Sequence, residues 1–191
     1  MVKKYLLRTL SIAILVTVMA ALSSFIDKQE LFKETAPGTI TFSAENDRYQ
    51  AKGTFDNWKF SKAEMKERNN LETFTAEILV DMSSVNEKSS KLTSHLKASD
   101  YFFIDQFPVC KVSIGKIEKG KGDKYNANAI LDLKGVKAEV PVSFIVKRIN
   151  PVIVKGHMHV DRLLHKVGVE NKKTTTKVEV DFEAELPYKI K

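Results

Sequence analysis

Residues 176–186 read Thr-Lys-Val-Glu-Val-Asp-Phe-Glu-Ala-Glu-Leu, and they decide the fold class. Thr176, Val178, Val180, Phe182, Ala184 and Leu186 alternate with Lys177, Glu179, Asp181, Glu183 and Glu185. Successive side chains of a strand point to opposite faces, so one face of this segment is dry and the other is charged.

The same split recurs upstream in Phe74, Ala76, Ile78, Val80 and Met82, and again in Val140, Val142, Phe144 and Val146. After Pro37 and Gly38 the period of two returns with turn signals between its segments. The expected strands are Thr39 to Glu45, Tyr49 to Phe60, Leu71 to Met82, Val109 to Glu118, Lys124 to Lys134, Ala138 to Arg148, Val152 to Asp161 and Thr176 to Leu186. An all-β fold is expected, an eight-stranded antiparallel barrel with one inward row per strand. One segment departs from the pattern: Val85, Ser89, Leu92 and Leu96 fall at helical spacing, and Asn86 is placed to cap a short helix from Asn86 to Leu96 at one mouth.

The N-terminus reads differently. Lys3, Lys4 and Arg8 precede an uncharged apolar run from Thr9 to Leu22 and small residues at Ser23 and Ser24, the order of a secretory signal peptide. The run is shorter than the roughly 20 residues of a spanning helix, so cleavage near Ser24 is expected rather than retention as an anchor. Residues 1–23 are thus read as signal, 24–37 as a lead-in segment and 38–188 as one barrel domain, exported to the periplasm or secreted. The single cysteine, Cys110, lies far from the signal and cannot carry a lipid anchor or an internal disulfide, and its strand context suits a buried free thiol.

Three of the seven excess positive charges belong to the signal, leaving +4 with acidic residues interspersed. No basic run alternates with aromatics, so nucleic acid is not an expected partner. A membrane barrel would need its apolar face outward, and the chain length and dense charge on the candidate outer faces favour a soluble barrel instead. No phosphate loop, nucleophile elbow or His-Glu-x-x-His motif is present, so neither a catalytic residue nor a cofactor is expected. His157 and His159 stand two apart on the polar row with Lys155 and Asp161. They are read as surface histidines rather than metal ligands, since a third ligand would need His165 to converge on them.

The segment HLKASDYFFIDQFP, His95 to Pro108, resembles the signature of the YceI-like, polyisoprenoid-binding periplasmic family, through His95, Leu96, Lys97, Asp100, Phe102, Phe107 and Pro108. GTFDNWKF at Gly53 to Phe60 is similar to the family's Gly-x-Phe strand, and LDLKGVKAEVPV at Leu131 to Val142 to its Gly-Val-x-Lys turn. The family's later Arg-x-x-Phe-Gly element is met only in part, by Arg162, Leu163, Leu164 and a displaced Gly168. The resemblance implies a lipocalin-like barrel whose lumen encloses an isoprenoid or fatty-acyl chain.

On the inward rows, the candidates to line such a lumen are Phe42, Phe55, Phe74, Ile78, Ala127, Ala129, Leu131, Phe144, Met158 and Phe182. The small residues Ala76, Ala127, Ala129, Gly156 and Ala184 would leave an eight-stranded lumen underfilled. Trp58, His95, Leu96, Tyr101, Phe102 and Phe103 are the candidates for an entrance. Two other readings stand beside the lipid carrier: a fully packed barrel acting as an interaction module through Ala98 to Pro108, and a metal-dependent enzyme. Transient contact with a membrane surface and homodimerisation are the further partnerships considered.

Overall fold

The computed structural model describes residues 32, 36–46, 50–170 and 173–187. The expected signal and most of the lead-in segment lie outside these residues. The β fold belongs to the compact unit that begins at Thr35.

Among the described residues, ten antiparallel strands form one sheet that curls around an apolar interior. They are β1 (Gly38–Glu45), β2 (Gln50–Phe55), β3 (Trp58–Met65), β4 (Phe74–Asp81), β5 (Val85–Glu87), β6 (Val109–Lys119), β7 (Lys124–Leu133), β8 (Val136–Ile149), β9 (Val152–Asp161) and β10 (Lys177–Glu185). The sheet order is β3-β4-β6-β7-β8-β9-β10-β1-β2-β5.

Ten strands replace the eight expected because of a single corner. The segment read as Tyr49 to Phe60 breaks at Asp56 and Asn57 into β2 and β3, while β4 and β5 are separated by a 3-10 turn at Met82–Ser84. Polar side chains shape that corner: the Asp81 carboxylate accepts from the Ser83 N–H at 2.9 Å and hydroxyl at 2.6 Å, and the Ser84 Oγ accepts from the Asn57 N–H at 3.0 Å. Pairing continues through it, for Phe55 opposes Val85, the Asp56 N–H donates to Ser84 O, the Asp81 N–H donates to Asn57 O and Trp58 opposes Val80. The two outermost strands of the sheet, β3 and β5, are therefore each joined by the chain, through the corner, to the next-to-outermost strand at the opposite end of the order, β2 and β4.

The inward rows are those of the alternation. In β10, Val180, Ala184 and the following Leu186 are buried while Lys177, Glu179, Asp181 and Glu183 are exposed. Between β7 and β8, Lys134 and Gly135 take φ of 53° and 74°, the pair of positive angles that a two-residue hairpin with the sheet's own twist requires.

The helix is displaced from its expected start. It runs as α1 over Ser90–Lys97, with the Ser89 side chain accepting from the Leu92 N–H; Asn86, the expected cap, instead belongs to β5. Glu87 fixes the entry, its Oε2 accepting from the Ser89 N–H at 2.6 Å. No described helix is long and apolar enough to cross a membrane.

An apolar cavity with a polar mouth

The curled sheet encloses a cavity of about 450 Å³. Of the residues expected inside, Phe42, Phe55, Phe74, Ile78, Ala127, Leu131, Phe144, Met158 and Phe182 line it. Ala129 does not. It is 0% exposed, its strand partners are Ile114 and Val140, and its methyl is shorter than either of their side chains, so it lies beneath the lining rather than at the cavity surface.

Two close approaches keep the interior open. A Cβ at Gly156 would lie 2.6 Å from the Phe182 ring and 2.6 Å from the Phe144 Cβ, and a Cβ at Gly53 would lie 2.5 Å from the Phe42 ring. Phe182 and Phe42 are the cross-strand neighbours of these glycines. Both rings therefore lie down against bare backbone instead of standing into the lumen.

The candidate entrance residues divide. Trp58, His95, Leu96, Tyr101 and Phe102 line the cavity, whereas Phe103 does not. Phe103 takes φ of 50° and packs edge to face on Phe107 at 6.1 Å, and its carbonyl accepts from the Gln106 and Phe107 N–H groups, so it pins the loop. His95 is exposed at the end of α1 with its ring 4.5 Å from that of Tyr101. Phe102 instead faces inward and closes an aromatic trio with Phe42 and Phe55, at centroid distances of 6.5 and 5.7 Å.

Arg162 is the residue that sequence reasoning undervalued. It is 6% exposed, lines the cavity and ties down the segment between β9 and β10. Its Nε donates to Thr175 O at 2.8 Å, its Nη1 to Val167 O and Val169 O at 3.1 Å each, and its Nη2 to Thr174 O at 3.4 Å. A guanidinium offers five N–H groups in a fixed fork, and here main-chain carbonyls take most of them. The partial Arg-to-Gly motif was the signal that could have found it. The same end carries Lys134, whose Nζ donates to Ser99 O at 2.9 Å and Lys166 O at 2.8 Å, so that burial holds its pKa below the usual lysine value despite the pull of Asp100.

Cys110 lines the cavity as a buried free thiol, and burial, with a smaller contribution from Asp132, pushes its pKa up to about 12, which keeps it an inert thiol. His157 is exposed with its ring 5.7 Å from that of His159. His165 is 1% exposed, with its Nδ1 3.1 Å from Val136 O, and does not join the other two. Among the described residues no group of three His, Cys, Asp or Glu side chains is arranged to hold a metal.

An antiparallel sheet wrapped around one apolar cavity places the protein in the class of all-β proteins built around an interior compartment. The chain belongs to the YceI-like domain family, whose model matches residues 33–186. Solved structures with the same fold include BcnA of Burkholderia cenocepacia, 17% identical, with a TM-score of 0.68 over 76% of this chain and 94% of that one. A YceI protein of Campylobacter jejuni is 15% identical, with a TM-score of 0.58 over 71% and 85% of the two chains. A polyisoprenoid-binding domain of Saccharophagus degradans, implicated in plant cell wall breakdown, is 15% identical, with a TM-score of 0.53 over 80% and 97%. No curated protein sequence matches the chain.

Proposed function

We propose that this protein is an exported, non-enzymatic lipid-binding protein that encloses a polyisoprenoid or other long apolar chain in its lipocalin-like interior. The cavity carries the reading, because side chains such as Phe74, Ile78, Val112, Leu131 and Phe182 meet a space that protein atoms leave open. An apolar chain gains about 0.8 kcal/mol for each buried CH2, so ten carbons contribute about 8 kcal/mol before ordering costs are subtracted. No catalytic group is needed for that. The polyisoprenoid-binding neighbour from Saccharophagus degradans supports a lipid guest, and the signal-like N-terminus supports export.

The test is native mass spectrometry of protein purified gently from cells. An adduct of lipid mass, lost on organic extraction, is the expected result. Bare protein alone, together with failure of the extracted protein to take up any prenyl or acyl chain, would overturn the proposal.

A further inference from the structure

Charge is spread unevenly over the two ends of the curled sheet. Lys134, in the turn between β7 and β8, donates to Ser99 O beside α1, and β7 runs from that turn over ten residues back to Lys124, about 30 Å away at about 3.3 Å per residue. The β6–β7 and β8–β9 turns therefore lie at the end remote from α1. They are neighbours there, since the Val146 N–H donates to Asp123 O at 3.4 Å.

Lys119, Lys121, Lys124, Lys147 and Arg148 are all exposed at this end, and Asp123 is the one acid of the two turns. Five cations against one acid leave +4, which is the whole excess of the chain once the three charges of the signal-like N-terminus are set aside, so the remaining residues sum to zero. The surroundings do not cancel it. Lys116 is neutralised by Glu118 at 2.7 Å, and the adjoining β3–β4 turn balances Lys66 and Arg68 against Glu67 and Glu72, touching the patch where Glu72 Oε1 accepts from the Lys119 N–H at 3.2 Å. Glu185, opposite Ile153, stands at the margin. Among the described residues none of the five cations forms an ion pair.

The second feature is apolar. Ile149, between Arg148 and Asn150 at the tip of the β8–β9 hairpin, is 64% exposed. Cations are drawn to anionic headgroups, and a protruding branched side chain among them reaches the acyl boundary beneath. A soluble polyanion would engage the cations and leave Ile149 in water, so the two features together favour a bilayer.

We propose that this end docks on the surface of an anionic membrane, with Lys121, Lys124, Lys147 and Arg148 on the headgroups and Ile149 at the acyl boundary. Docked so, the protein turns the α1 end, where His95 and Arg162 line the cavity, away from the bilayer and toward solvent. The inference stands on surface charge and does not depend on what the cavity holds.

The experiment is sedimentation of the full chain with vesicles of phosphatidylcholine and phosphatidylglycerol in equal parts, beside vesicles of phosphatidylcholine alone, which measure attachment through the apolar N-terminal run. Binding to the anionic vesicles is expected to be about tenfold or more stronger and to weaken steeply with salt. Lys121→Gln, Lys147→Gln and Arg148→Gln together should remove most of that difference, because each cation near such a surface contributes about fivefold. Lys88→Gln, Lys91→Gln and Lys166→Gln, the same change of charge at the α1 end, should leave it within about twofold. Ile149→Ser should weaken vesicle binding by about threefold or more while leaving retention on dextran sulfate unchanged. Circular dichroism checks the fold of each variant; if the first triple variant does not fold, the salt dependence and the neutral vesicles carry the charge test. Equal binding to both vesicle types, or equal losses in the two triple variants, overturns the docking end. Vesicle binding unmoved by Ile149→Ser overturns the bilayer as the occupant in favour of a soluble polyanion. Binding lost in Leu164→Ser with Val169→Ser, the exposed apolar pair of the α1 end, and kept in the first triple variant overturns the orientation.

Discussion

Cys110 shows how the cavity wall governs the chemistry of a single side chain. Its thiol titrates at about 12 in the fold against an ordinary value of 9.0, chiefly because burial disfavours the thiolate. Below pH 9 the thiol is protonated in both folded and unfolded chains, so the shift has no effect on stability. Between about pH 9 and 12 the unfolded chain releases this proton and the folded chain keeps it, so stability falls as pH rises. Alkaline unfolding followed by circular dichroism should therefore be less steep over that window in Cys110→Ala than in wild type. Identical slopes would mean that the thiol is not buried as described. The sequence showed that Cys110 sits in an apolar strand. It did not show that the thiol faces the cavity, because an alternating pattern marks a buried row without saying whether the row meets protein or empty space.

At the scale of elements, Arg162 is to the loop after β9 what the Ser89 cap is to α1, but with four bonds instead of one. Hydrogen bonds to charged groups contribute about 1.5–3 kcal/mol, so Arg162→Met should destabilise the fold by about 2–3 kcal/mol. Urea denaturation measures the loss, and hydrogen exchange should show protection falling first in residues 162–170. A change below about 0.5 kcal/mol would mean that the carbonyls find other donors. The element map itself was largely legible. β6, β7, β9 and β10 begin and end within a residue of their expected bounds, because charged turns and strict alternation mark them in the chain. The corner at Asp56 and Asn57 was missed although both residues favour turns, because no glycine or proline marks it and the Asp81, Ser83 and Ser84 side chains that shape it lie far away in sequence. The displaced helix start has a similar cause: Asn86 and Ser89 are equally good caps in isolation, and pairing of Asn86 with Thr54 in the sheet decides between them.

For the molecule as a whole, the question is where empty space lies, and two alanines of one strand answer it. Ala127 and Ala129 are indistinguishable in sequence, yet the first lines the cavity and the second lies beneath its wall. Ala129→Trp should overpack and cost about 1–3 kcal/mol or more, while Ala127→Trp should leave the delipidated protein folded but abolish uptake of a long-chain prenol. Thermal melts and uptake assays of the two variants, run side by side, check this. Equal behaviour would erase the distinction between wall and lumen.

The lumen also contains the chain's sole tryptophan, Trp58, 2% exposed and packed edge to face on Phe60 at 5.6 Å. An indole there senses the polarity of the cavity and little of bulk solvent. Its emission is therefore expected to shift when an apolar chain fills the compartment, so that a titration could be followed without any added dye.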